Sequence, residues 1–262
     1  MRIRVLETLK APFPENTADC QVVVIDVLRA TSCMVTALAG GATEIIPCLT
    51  PQEALDTAVA FPPGSFLLGG ERAARPLPGF DVGNSPLEYA PDKVRGKRII
   101  STTTNGTIAI RSAIASGADN VFLGSFLNSS AVAAVLKRAE EVIILCAGTL
   151  GNFSLDDFAV AGRLVALLAA DHDSPSLNDA AATALVLYRH HEDRLAHLLS
   201  SSVHGQAMVK AGMEQDIEHC AQVDIFAVVP QWHGEGFRQF TPADLPEIYS
   251  TRQTQILPAN VE

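Results

Sequence analysis

An apolar run from Val22 to Ile25 ends on Asp26, and Arg29, Thr31 and Ser32 follow at once. A carboxylate at such a place suits a hard cation such as Mg2+, which takes few carboxylates together with waters and substrate oxygens. Arg29 offers a planar fork for a phosphate or sulfonate. Thr31 and Ser32 add hydroxyls at a helix N-terminus, where backbone N–H groups already point at an anion. An Asp26–Arg29 ion pair, with Ser32 as a plain cap, explains the same spacing equally well.

Three more stretches carry comparable chemistry. Thr102, Thr103, Thr104, Asn105 and Gly106 lead from a β-branched run into a helical pattern. Hydroxyls, orphan N–H groups and a glycine that permits close approach make an uncharged oxyanion cradle; a capping turn with surplus threonines is the blander account. It lacks the lysine of a Walker loop. In "GGERAARPLPGFDVGNSP" (69–86), Glu71 and Arg72 directly follow an apolar run, and Asp81, Asn84 and Ser85 come after. An acid–base pair there fits metal plus anion binding, or else a surface ion pair. In "CAGTLGNFSLDD" (146–157), Asp156 and Asp157 fall in a first helical turn, as paired metal ligands or as partners of the helix dipole. Cys146 reads as a buried thiol. His204, before Gly205, is a candidate proton donor to a leaving group, and Asp216 a lesser candidate. The haloacid-dehalogenase pattern needs a second Asp two residues after Asp26; Leu28 stands there instead.

These residues need a scaffold of strands ending in turns. Apolar runs at 22–26, 44–48, 66–70, 98–101, 121–124 and 141–148 predict strands, separated by helices of roughly 10–15 residues. The clearest is "TPQEALDTAVA", with Thr50 as cap, Pro51 at the first position and Glu53 closing a capping box. Further helices are expected over 154–171, 178–191 and 204–221, a last strand over 224–230, and a helix start at Thr241–Pro242. The segment from about Arg252 has little periodicity and is expected to lie loosely on the surface. The class is α/β, a layered α/β/α arrangement with a mostly parallel sheet. A 76-residue shift lays Thr31 on Thr107 and Asp81 on Asp157. Two βαβ-type lobes from an internal duplication, 20–92 and 96–175, with a helical remainder and last strand at 176–240, are weighed against two ordinary units of similar length. Either way the chain reads as one domain over 1–262.

Composition bounds what such a site can hold. The chain has 262 residues, 48% hydrophobic and 18% charged, with net charge −10. That excludes general affinity for nucleic acid or anionic membrane, so an anionic ligand must be captured locally. Five scattered cysteines without a C-x-x-C pair, and no apolar leader, point to a reducing, cytoplasmic setting. A homodimer is the default expectation from the frequency of twofold assemblies.

"IDVLRATS", "GGER", "GFDVGNSP", "TTTNGT", "GSFLNSSAVA", "CAGTLGNFSLDD" and "HG…DI…CA" occur together and in this order. Across roughly 20–229 the chain resembles the 2-phosphosulfolactate phosphatase family. The resemblance implies Mg2+-dependent hydrolysis of (2R)-2-phospho-3-sulfolactate to (2R)-3-sulfolactate and phosphate, a step of coenzyme M biosynthesis in methanogens. One departure is Asp156, where the family usually has Glu. In this reading Asp26, Arg29 and His204 are catalytic. Asp26, Glu71 and Asp157 hold the metal. Arg29, Thr31, Ser32, Arg72, Asn84 and Thr102 to Gly106 bind a small anionic phospho-acid. Rival readings are a phosphatase for a different phospho-acid and a non-catalytic binding protein for an anionic metabolite.

Overall fold

The computed structural model describes residues 1–72, 75–118 and 120–241. Its elements are β1 (Arg2–Leu6), β2 (Gln21–Ile25), α1 (Ala30–Ala39), β3 (Glu44–Pro47), α2 (Pro51–Ala58), β4 (Phe66–Arg72), β5 (Arg75–Pro76), α3 (Pro91–Val94), β6 (Arg98–Thr102), α4 (Gly106–Ala115), β7 (Asn120–Gly124), α5 (Ser129–Leu136) and β8 (Glu141–Cys146); all but β1, β5 and α3 follow the alternation that the apolar periodicity predicts. The rest is α6 (Leu155–Ala170), β9 (Ser176–Leu177), α7 (Asp179–His191), α8 (Leu195–Ser201), α9 (Val203–Lys210), α10 (Glu214–Cys220), β10 (Pro230–Trp232) and β11 (Phe237–Gln239). Thr50 caps α2 as expected, its side chain accepting from Glu53 N–H at 3.0 Å.

The strands form one mixed sheet in the order β5-β4-β6-β3-β11-β10-β7-β2-β8-β1-β9. Two parallel groups, β4-β6-β3 and β7-β2-β8-β1-β9, flank the antiparallel hairpin β10-β11. Three antiparallel pairings separate β3 from β7, so the groups run in opposite senses. The five steps from β6 to β2, at about 20–25° each, rotate them by roughly 100–125° relative to one another. The chain crosses between groups twice, through α1 (β2 to β3) and through α4 (β6 to β7). Each crossing strand is then inserted in the other unit's sheet: β2 between β7 and β8, β6 between β3 and β4. The strand order is thus symmetric under exchange of the two units. That is a statement of topology, not of ancestry.

Packing follows. Val22 and Val24 of β2 share one core with Ile45, Ile99 and the α1 and α4 residues, while Val23 and Ile25 face a second core with α5, α6 and α7. Residues Ala30 to Leu38 of α1 are all buried, as a helix enclosed between the two strand groups must be. A third, smaller core lies under α2. The α/β class and the mostly parallel sheet are as expected, with the burial of the whole of α1 as an addition.

Two local expectations are corrected. Residues 224–229 are not a strand. Asp224, at φ 54°, and Phe226 donate backbone N–H bonds to the carbonyls of Phe126 and Leu127. The Asp224 carboxylate accepts from Ser130 N–H at 2.7 Å and from Arg163. Side-chain bonding there replaces a ladder, and pairing begins only at Pro230. The helix expected over 204–221 breaks at Gly212 (φ 73°) into α9 and α10. The start at Thr241–Pro242 and the segment from Arg252 lie outside the described residues. All five cysteines are buried and unpaired. Among the described residues no helix is long and apolar enough to cross a membrane.

Candidate active site

Strands β2 and β6 end against each other. A Cβ built on Gly106 would lie 2.8 Å from Asp26 Oδ2 and 2.5 Å from Ala30 Cβ, so only glycine lets the two turns meet this closely. The first turns of α1 and α4 therefore both lie beside the Asp26 carboxylate. Asp26 Oδ1 accepts from Ala30 N–H at 3.2 Å. Thr31 Oγ1 donates to the Asp26 carbonyl at 2.9 Å and accepts from Asp26 N–H at 3.1 Å, and Ser32 Oγ donates to the Val27 carbonyl at 2.8 Å. Both hydroxyls brace the turn that holds the carboxylate.

The threonine turn divides its groups similarly. Thr103 Oγ1 accepts from Thr107 N–H at 3.1 Å, Thr102 Oγ1 accepts from Arg72 Nη2 at 2.8 Å, and Asn105 Oδ1 accepts from Leu150 N–H at 3.0 Å. Thr104 N–H donates to Glu71 Oε1 at 2.8 Å. The Thr104 hydroxyl oxygen is buried with no hydrogen-bond partner among the described residues. It is the member of the expected cradle left with a hydrogen-bonding function to fulfil.

Glu71 and Asp157 do matching work for the two turns. Glu71, at the end of β4, holds Thr104 N–H; Asp157, in the first turn of α6, accepts from Val27 N–H at 2.8 Å and Gly148 N–H at 2.9 Å. Both Asp157 oxygens are thus engaged with backbone. Arg72 donates to the carbonyls of Glu71 at 2.7 Å and Leu49 at 3.0 Å as well as to Thr102. Arg29 is buried and paired with Asp216, not with Asp26 as the alternative reading of the spacing had it. Asn84 is buried in the loop beside Ser85, whose hydroxyl donates to Asp216 Oδ1 at 2.6 Å.

The acids here are out of balance with their surroundings. Burial pushes the Asp26 carboxyl up to about 6, and the charges of Asp156 and Glu71 push the same way against His204 and the Ala30 N–H. Burial, then Asp156 and Asp26, hold Asp157 well above the usual carboxylate range. For His204, burial opposes protonation, but the Asp156 carboxylate 3.6 Å from Nδ1, reinforced by Asp26, raises it on balance. Asp156 is itself fixed by Ser154 Oγ at 2.6 Å. Sequence spacing singled out His204 and Asp156 separately; 48 positions apart, nothing linear pairs them. Asp216, a lesser candidate, proves to be Arg29's partner for the same reason.

Buried carboxylates, a buried guanidinium, a histidine–aspartate pair and the threonine turn thus gather near the ends of β2 and β6 of this α/β sheet. The chain belongs to the 2-phosphosulfolactate phosphatase family, enzymes of the phosphoric monoester hydrolase class: the family model described as 2-phosphosulpholactate phosphatase matches residues 8–235. It is 46% identical over 220 residues to a probable 2-phosphosulfolactate phosphatase of Symbiobacterium thermophilum, covering 84% of this chain and 94% of the relative. It is 40% identical over 232 residues (88% and 95%) to one of Caldanaerobacter subterraneus subsp. tengcongensis, and 41% over 218 (83% and 91%) to one of Thermotoga maritima.

Proposed function

We propose that this protein hydrolyses (2R)-2-phospho-3-sulfolactate to (2R)-3-sulfolactate and phosphate with Mg2+, in a reducing cytoplasm. The observation that carries the reading is the approach of the Asp26 carboxylate to the threonine turn at Gly106, so that an acid and a hydroxyl from segments far apart in sequence come together. Among the described residues no group of three or more His, Cys, Asp or Glu is set to hold a metal alone. The donor set fits Mg2+ nonetheless, because that ion takes one or two carboxylates and completes its shell with water and substrate oxygens. Asp26 and Glu71 would hold it; Asp157 serves as a backbone clamp in this reading. When bound, the ion would supply positive charge at the phosphoryl oxygens and hold Asp26 ionised.

The chain's own groups do the rest. Arg29 faces the equatorial phosphoryl oxygens, where charge grows during transfer. Arg72, whose hydrogen bonds described above all go to neutral oxygens, and the Thr104 hydroxyl take the sulfonate or carboxylate end. His204, whose proton affinity Asp156 raises, gives its proton to the leaving oxygen. Asp26 has one oxygen pinned by Ala30 N–H and the other turned to the site, so it either accepts a proton from an attacking water or attacks phosphorus itself. Borohydride trapping under single-turnover conditions separates the two. The substrate is tested by phosphate release from 2-phosphosulfolactate, 2-phospholactate and 2-phosphoglycerate, with Mg2+ and with EDTA. The expected result is preference for the sulfonated ester and loss of turnover in EDTA; equal or better turnover of the carboxylated analogues would overturn the assignment.

A further inference from the structure

Arg29 is the one guanidinium in the site that is both buried and ion-paired, and its partner comes from a segment far along the chain. Asp216 lies in the first turn of α10 and is itself buried. Its Oδ2 accepts from Arg29 Nη1 and its Oδ1 from Ser85 Oγ at 2.6 Å. One carboxylate therefore ties the turn after β2, the loop after β5 and the C-terminal helices together, with both oxygens in use. The Arg29 charge also acts on His204, lowering its affinity for a proton, so the guanidinium reaches the field of the reacting groups. A long side chain in a site of several acids would otherwise have alternative carboxylates to turn to, Asp26 first among them. Holding Nη1 from behind removes that freedom and leaves the rest of the fork to face the substrate.

We infer that Asp216, fixed by Ser85, is a positioning residue that orients Arg29 for the phosphoryl group; the inference rests on the phosphatase reading above. Its charge also has a cost in the ground state. A carboxylate against the guanidinium weakens the attraction of the site for any anion. The two effects have opposite signs on binding and on turnover, and this separates positioning from simple structural support.

The test compares Asp216→Asn, Ser85→Ala, Arg29→Ala and the double variant Arg29→Ala/Asp216→Asn. Steady-state hydrolysis gives kcat, and calorimetric titration with inorganic phosphate gives anion affinity without reference to the substrate's identity. For Asp216→Asn, kcat should fall about 10–100-fold, the range expected when a catalytic group is misplaced by a fraction of an ångström, while phosphate binds several-fold more tightly. The loss of kcat should not appear when Asp216→Asn is added to Arg29→Ala, whereas the tighter phosphate binding should persist there, because the Asp216 charge repels an anion with or without Arg29. Ser85→Ala should lower kcat by a smaller factor with a drop of only a few degrees in melting temperature, on the order of one lost hydrogen bond, and it carries the test if Asp216→Asn does not fold. An unchanged kcat, a weaker phosphate affinity, or an equal further loss in the Arg29→Ala background would overturn the inference. Should the wild type hydrolyse 2-phospholactate or 2-phosphoglycerate but leave 2-phosphosulfolactate intact, the substrate assignment falls, while the same comparison of kcat on that ester still decides whether Asp216 acts through Arg29.

Discussion

The strongest consequence of the site concerns Asp26 in the metal-free protein. Its carboxyl is raised from 3.8 to about 6, chiefly by burial. Between about pH 4 and 6 the folded chain keeps a proton that the unfolded chain has lost. Stability therefore falls as pH rises through that window and stays low above it. A difference of about two units corresponds to roughly 3 kcal/mol. Asp26→Asn removes the penalty and retains an oxygen to accept from Ala30 N–H, while its amide hydrogens must find acceptors, for which neighbouring carboxylates are available. A net gain of about 1–3 kcal/mol is expected at pH 7.5 in EDTA, or roughly 2–10 °C in melting temperature for a chain of this size. At pH 4 the gain should disappear. Added Mg2+ should stabilise the wild type, because binding to the native state adds to its stability, and should have little effect on the variant. The assay is thermal unfolding of both proteins across pH 4–8, with EDTA and with Mg2+. An equal or lower midpoint for Asp26→Asn at pH 7.5 in EDTA would refute the argument that this acid is held against its desolvation.

Two further outcomes follow from particular contacts. Gly106→Ala places a methyl 2.5 Å from Ala30 Cβ and 2.8 Å from Asp26 Oδ2, so it should cost about 1–3 kcal/mol by overpacking and lower kcat/KM about 100-fold; near-normal activity would show that the two turns can separate without harm. Asp156→Asn removes the carboxylate that raises the proton affinity of His204. Turnover that needs a protonated His204 is lost as pH rises through its pKa, so the basic limb of the pH–rate profile should move to lower pH in the variant, and a limb that stays in place would remove His204 from the acid role.

Much of this was legible in the residues taken one segment at a time. The helix over Gly106–Ala115 and the cap at Thr50 need only local periodicity and local hydrogen bonding, both written within a few positions of sequence. Glycine at 106 and acids at strand ends were visible for the same reason. Failures arose where a distant partner competes with local preference. Residues 224–229 look like a strand until Asp224 is drawn to Ser129, Ser130 and Arg163.

What the sequence by itself determined was the main strand–helix alternation from β2 to α7, the chemistry available at each strand end, and the family. Which strands exchange places between the two units, and hence that Asp26 meets the turn at Gly106, was decided only in three dimensions. The same holds for the partnering of Arg29 with Asp216 and of His204 with Asp156. The physical reason is that backbone periodicity acts over a few residues, whereas a buried charge must be compensated by whatever group the packed core brings to it.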